Sequence, residues 1–124
     1  MPSEVSRRRR AAVDAVTRGA LENPGVTSPA LRKAASRGED VPAELATYVD
    51  KMARHAYKIT DEDLAALAAA GHDDDAIFEI SLAVAVGAGM RRIDAGMAAL
   101  DALDARDEAA GDEAAGAGDE REAG

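Results

Sequence analysis

The pattern of apolar positions is most regular between Asp73 and Leu103. The large apolar residues of this stretch recur in steps of four, four, three, four and three, at Leu82, Val86, Met90, Ile93, Met97 and Leu100. This spacing places side chains on one side of an α-helix, and no β-strand has it. A helix of about 30 residues would be about 45 Å long, so we expect it to bend, to end early or to pack against another copy of the chain. The glycines at positions 87 and 89 predict tight packing or a break there.

Shorter helical patterns precede this stretch. A modestly amphipathic first helix should end before Asn23-Pro24-Gly25. Ser28-Pro29 is typical of a helix start, and Gly38 of the end that follows it. Thr60 and Asp63 have the spacing of a capping box at the start of a fourth helix, which Gly71 should end.

The third predicted helix opens after Val41-Pro42 and has a clear apolar stripe. Its inward positions are Leu45, Tyr48, Val49, Met52 and either His55 or Ala56. We therefore expect about five helices in total, which makes the fold all-α, an antiparallel helical bundle.

Composition indicates a thin core. Aromatic residues make up only 2% of the 124 residues, so the core must be built from aliphatic side chains and alanine. A core of this kind stabilises a small monomer poorly, which favours a homo-oligomer assembled through residues 73–103. No window approaches the length of a membrane-spanning segment and the N-terminus lacks a secretory signal, so we expect a cytoplasmic protein.

Charge is distributed unevenly along the chain. The net charge is −9, but residues 1–58 carry 11 Lys and Arg against 7 Asp and Glu, whereas residues 59–103 carry 2 against 9. The acidic second half argues against nucleic acid as the main partner. Arg7 to Arg10 could contact phosphate, but the favoured interpretation is a solvated helix start.

Residues 105–124 are almost wholly Ala, Gly, Asp, Glu and Arg, so we expect a helical domain over residues 1–104 and a disordered acidic tail.

Three segments together resemble the carboxymuconolactone decarboxylase/alkylhydroperoxidase D superfamily. They are the helix ATYVDKMARHA at 46–56, the capped TDEDLAAL at 60–67, and DDAIFEI at 74–80, which leads into a helix rich in small residues. The likeness covers about residues 41–103. It implies an alkylhydroperoxidase D-like fold of antiparallel helices that assembles into oligomers through those helices.

The chemistry of that family is missing from this chain. Peroxidatic members carry a CxxC motif followed by a histidine, whereas this chain has no cysteine and no histidine before residue 41. Disulfide-based peroxide reduction is therefore excluded. The first hypothesis is a truncated, cysteine-free relative that acts as a noncatalytic binding or scaffold oligomer.

The second hypothesis is a lyase or isomerase of small carboxylic acids or lactones. His55 would be the general base, because it shares a helix face with Tyr48 and could meet Glu79 or Asp94. Arg91 or Arg92 would hold the substrate carboxylate, and Tyr48 is a further candidate ligand contact. The favoured alternative for His55 is a histidine stabilised by the helix C-terminus.

The charged residues of the long helix have two competing interpretations. Arg91 and Arg92 could bind a small anionic ligand, but pairing with Asp94, Asp101 or a carboxylate of a neighbouring subunit is favoured.

The start of the long helix also has two interpretations. His72 beside Asp73, Asp74 and Asp75 could suggest a metal site, but helix capping accounts for these aspartates. We expect no metal and no cofactor.

Overall fold

The chain is all-α in the part that the structure describes. The computed structural model describes the backbone of residues 3–123 and the side chains of residues 3–111, and no strand occurs among them. The helices are α1 (Glu4–Leu21), α2 (Pro29–Arg37), α3 (Ala43–His55), α4 (Asp61–Ala69) and α5 (Asp74–Ala123), with a 3₁₀ turn at Ala56–Lys58. The predicted all-α class with five helices is confirmed. No helix within the described residues has an apolar stretch long enough to cross a membrane.

The predicted helix starts are confirmed by their capping hydrogen bonds. The Ser28 side chain accepts a hydrogen bond from the Leu31 amide, and Pro29 occupies the first turn of α2. At α4, the Asp63 amide donates to Thr60 Oγ1 at 3.2 Å and the Thr60 amide donates to Asp63 Oδ2 at 2.9 Å. This reciprocal pair is the capping box that the sequence predicts.

Glycine residues end α2 and α4 as the sequence predicts, whereas the end of α3 differs from the prediction. Gly38 ends α2 with a φ of 70°, and Gly71 has a φ of 101° after α4, both in the left-handed region that favours glycine. Helix α3 ends at His55, earlier than its apolar pattern indicates, and residues 56–58 tighten into the 3₁₀ turn. The buried stripe of α3 is therefore Leu45, Tyr48 and Val49, with Met52 partly buried and both His55 and Ala56 exposed.

The chain divides into two units, Met1–Met90 and Arg91–Gly124. The core of the first unit is formed by all five helices, and its buried apolar residues are Ala20, Leu21, Ala35, Leu45, Tyr48, Val49, Leu67, Ile80, Ala83 and Val84. The second unit consists of the distal part of α5, and every residue from 91 to 111 is exposed.

Helix α5 runs without a break through Gly87 and Gly89, so the predicted break is wrong and tight packing is the correct alternative. A Cβ at Gly87 would overlap the carbonyl group of Ser36, at the end of α2. The backbones of α2 and α5 therefore approach each other more closely here than any larger residue allows.

The acidic stretch from residue 105 belongs to α5 as far as Ala123. Side chains beyond residue 111 lie outside the described residues. The expected disorder of residues 105–124 in solution therefore stays a prediction.

Candidate functional site

Helix α5 has two apolar sides within the first unit. Ile80, Ala83 and Val84 are at most 1% exposed and pack into the core. Phe78 and Leu82 are 66% and 42% exposed. At about 100° per residue, they lie on roughly the opposite side of the helix from Ile80 and Val84. The stripe that includes Leu82 is therefore not the most buried side of α5, although Val86 of the same stripe is partly buried and packs against the core.

The same spacing continues in the second unit. Its large apolar side chains are between 40% and 51% exposed, and they are Ile93, Met97, Leu100 and Leu103. Isolated exposed apolar residues are ordinary on protein surfaces, whereas contiguous exposed apolar patches are typical of interaction sites. We call the residues Ile93, Met97, Leu100 and Leu103 the distal apolar row.

A second feature is the contact between Glu79 of α5 and the loop that joins α1 to α2. The Glu79 carboxylate accepts hydrogen bonds from the Val26 amide at 2.8 Å, the Thr27 amide at 3.1 Å and Thr27 Oγ1 at 2.7 Å. A Cβ at Gly25 would overlap this carboxylate, so a larger residue there would require the Glu79 side chain to shift. One carboxylate thus satisfies two loop amides that the helices leave without partners.

Arg32 completes this contact from α2. Its side chain is only 3% exposed. Nη1 donates to the Ala20 carbonyl at 2.9 Å, and Nη2 donates to the Asn23 carbonyl. The third guanidinium nitrogen, Nε, is buried without a hydrogen-bond acceptor and lies 3.9 Å from Glu79 Oε1. Arg32 therefore binds the C-terminal carbonyls of α1 and compensates the charge of Glu79.

An open cleft of about 370 Å³ lies beside this contact. Its walls include Arg32 and Glu79, and its rim carries the exposed apolar side chains of Val26, Phe78 and Leu82. Because the arginine and the glutamate balance each other's charge, the cleft has no excess positive charge with which to attract an anion. It is a structural junction with an apolar rim.

The hydrogen bonds to Glu79 make a prediction for stability at low pH. The Thr27 hydroxyl and the Val26 and Thr27 amides, with Arg32, hold the pKa of Glu79 below its ordinary value of 4.5. A lowered carboxylate pKa stabilises the fold above the unfolded-state value, and this stabilisation is lost as the pH falls through the folded-state value. We expect Glu79→Gln to flatten the loss of unfolding free energy between about pH 5 and pH 3.

Urea unfolding monitored by circular dichroism across that range measures the effect. The matched control is Glu39→Gln, because Glu39 is exposed. It should keep the acid sensitivity of the wild type. Identical pH profiles for the wild type and Glu79→Gln would contradict the assigned role of Glu79.

Tyr48, a sequence candidate for ligand binding, is used inside the core. Its Oη lies 2.5 Å from Ser81 Oγ on α5. Ser81 donates its own proton to the Ile77 carbonyl at 2.7 Å, so Tyr48 is the donor of the shared hydrogen bond. The side chain is 7% exposed, and its hydroxyl joins α3 to α5.

His55, the candidate general base, lies at the exposed end of α3. Its ring meets the ring of Tyr57 edge-on, with 5.9 Å between the ring centroids. The expected partner Glu79 is instead bound to Val26 and Thr27. His55 lines neither the cleft at Arg32 nor the cleft at His72 described below. Its role as a base stays a prediction that no contact of the described residues supports.

Arg91 and Arg92 are exposed at the start of the second unit, as is Asp94. The predicted contact with a small anionic ligand stays a prediction, because neither arginine lines the two clefts described here.

His72 lies beside a second open cleft of about 620 Å³, lined by Ala68, Gly71, His72, Asp73, Asp74 and Asp75. Asp73 accepts the Ala76 amide at 2.8 Å and so caps α5, as the sequence predicts. His72 Nε2 is buried without a hydrogen bond and lies 3.7 Å from Glu44 Oε1. In the part of the chain that the structure describes, no three His, Asp or Glu side chains are grouped to hold a metal ion.

No sequence pattern indicates that Arg32 and Glu79 are partners, because 47 positions separate them. The only local signal is Gly25 in the loop, which indicates a special backbone position without naming the residue that approaches it. No family model, no curated protein and no solved structure matches this chain.

Proposed function

We propose that this protein is a noncatalytic binding or scaffold protein that assembles with copies of itself through the outward side of α5, within residues 73–103. The observation that carries the proposal is the distal apolar row, whose four side chains are between 40% and 51% exposed. Water-exposed apolar rows of this kind are stabilised when another apolar surface covers them.

The resemblance to the carboxymuconolactone decarboxylase/alkylhydroperoxidase D superfamily is part of the same proposal. The all-helical architecture and the capped fourth helix support it. Members of that superfamily assemble through their helices, which agrees with an interface on α5. We place the protein in the cytoplasm, in keeping with a chain that has no cysteine.

The positions of the candidate catalytic groups favour binding over catalysis. The Tyr48 hydroxyl is hydrogen-bonded to Ser81, and the Glu79 carboxylate is bound by the amides of the loop. His55 is exposed and contacts Tyr57. General acid–base catalysis needs a titratable group within reach of a substrate in a shaped pocket. Among residues 3–111, whose side chains the structure describes, no such arrangement supports the lyase or isomerase hypothesis.

Two lysines in the distal apolar row test the proposal. Ile93→Lys/Leu100→Lys keeps good helix formers on α5 but places charge where apolar contact is expected. Each large apolar side chain is worth about 1.5 kcal/mol or more when buried, so the double variant should associate at least about 100-fold more weakly. Multi-angle light scattering over a concentration series measures the change.

Val16→Lys is the matched control, because Val16 is 56% exposed on α1 and lies outside α5. It should associate as the wild type does. Far-UV circular dichroism checks that all three proteins keep their helix content. Equal association by the double variant and the wild type would contradict the proposed interface.

A further inference from the structure

We infer that the N-terminal part of α1 binds the phosphate backbone of double-stranded DNA through Arg7 to Arg10. This inference goes beyond the proposed function and does not depend on self-assembly. Residues 3–12 are all exposed, and Val13 is the first residue of α1 whose side chain is partly covered. Helix α1 joins the core only at its other end, through Ala20 and Leu21. The basic part of the helix is therefore accessible to a large partner.

The contacts of the chain give these four arginines no structural role. Arg8 pairs with Glu4 at 2.9 Å, but both side chains are at least 70% exposed, and an ion pair of this kind adds little stability. No ion pair joins Arg7, Arg9 or Arg10 to another side chain that the structure describes. Like charges three residues apart, such as Arg7 and Arg10, destabilise a helix slightly. A polyanion would relieve this repulsion.

The arginines are distributed around the helix. Successive residues of an α-helix are about 100° apart, so four consecutive positions cover most of the circumference. A flat acidic surface can contact only one side of such a helix. In the major groove of DNA, by contrast, phosphates flank a helix on both sides, and the groove is about 12 Å wide. A helix with its side chains has a diameter of about 10–12 Å, so the arrangement of the arginines fits this groove.

Two other polyanions are less complementary to this end of α1. A helix that lies in an anionic membrane surface needs a broad side of large apolar residues. Val5 is the only large apolar residue among residues 3–12. Double-stranded RNA has a major groove that is too deep and narrow for side chains to read. Double-stranded DNA is therefore the partner that the charge and the shape of the segment favour together.

The acidic character of the whole chain does not extend into this segment. The net charge of the protein is −9, but residues 5–13 contain four arginines and no acidic residue. At physiological ionic strength, exposed charges more than about 8 Å apart are largely screened from each other. The local charge of +4 therefore decides whether a phosphate is attracted to this end of α1.

Fluorescence anisotropy of a labelled DNA duplex of about 20 bp, titrated with the full-length protein at several salt concentrations, tests the contact. Each neutralised phosphate contributes about −0.9 to the slope of log K against log salt, so four arginines predict a slope between about −3 and −4. Arg7→Gln/Arg9→Gln/Arg10→Gln keeps one arginine. We expect it to bind at least about 100-fold more weakly at about 50 mM NaCl, with a slope near about −1.

Arg37→Gln/Arg54→Gln/Lys58→Gln is the matched control, because it removes the same charge from three exposed positions outside α1. It should bind the duplex within about threefold of the wild type and keep the wild-type slope. Far-UV circular dichroism checks that both triple variants keep their helix content.

Several outcomes would overturn the inference. One is no binding of the wild type to the duplex at about 50 mM NaCl, and another is equal weakening by the two triple variants. Equal affinity for an RNA duplex of the same length would contradict docking in the major groove. Tighter binding to phosphatidylserine vesicles would identify a membrane as the partner, and displacement of the duplex by polyglutamate at equal charge concentration would identify an acidic polypeptide. None of these results bears on self-assembly, which light scattering measures separately.

Discussion

Replacing Arg32 by methionine is expected to lower the free energy of unfolding by about 3 kcal/mol or more, because a buried charge network loses one partner. Methionine fills a similar volume but cannot donate to the carbonyls of Ala20 and Asn23, which Arg32 binds at the end of α1. Glu79 also loses the cation that lies 3.9 Å from its carboxylate. Urea unfolding followed by circular dichroism at 222 nm, a wavelength that reports helix, measures the loss.

Arg37→Met is the matched control, since Arg37 lies on the same helix and is exposed. Its effect should stay within about 0.5 kcal/mol. If Arg32→Met were as stable as Arg37→Met, the junction of α1, α2 and α5 would not depend on the arginine.

Replacing Gly87 by alanine is expected to destabilise the protein by about 2 kcal/mol, although alanine is the better helix former. The new Cβ would overlap the Ser36 carbonyl, and this neighbour is backbone that cannot rotate away. Helices α2 and α5 would have to separate, which loosens the core around Ala83 and Val84. The same urea titration measures the change.

Gly89→Ala, two residues further along α5, is the matched control because a Cβ there meets nothing within 4 Å. It should stabilise the helix by up to about 1 kcal/mol. Equal effects of the two substitutions would show that the close approach at Gly87 is not required.

The local features of this fold could be predicted from the sequence because their causes are local. Ser28, Thr60 and Asp73 each cap a helix through a hydrogen bond to an amide three residues later. Such contacts depend on residue type and spacing alone. The all-α class and the start of every helix after α1 follow from these signals and from the spacing of the apolar residues.

The buried side of α5 could not be predicted in the same way. Its stripe of largest side chains, from Leu82 to Leu100, indicates an apolar surface without saying which surface it meets. The chain fully buries Ile80, Ala83 and Val84, whereas Val86 and Met90 of the stripe are only partly buried. Small residues on that side, with Gly87, allow α2 to approach closely. Close packing of small residues can decide which side of a helix is buried, and side-chain size alone does not reveal it.

The contact of Arg32 with Glu79 could not be predicted from the sequence either, because it joins distant parts of the chain. Glu79 meets Val26 and Thr27 across more than 50 positions of chain. Arg32 stands in a helix whose periodicity does not distinguish a buried arginine from an exposed one. The contact appears only in the folded arrangement of α1, α2 and α5.

Sedimentation equilibrium of the full-length wild-type chain tests self-assembly through α5 most directly. At micromolar concentration we expect a mass at least twice the 12.8 kDa of one chain, falling toward 12.8 kDa in Ile93→Lys/Leu100→Lys. A wild-type mass of 12.8 kDa across the whole concentration range would contradict self-assembly through α5.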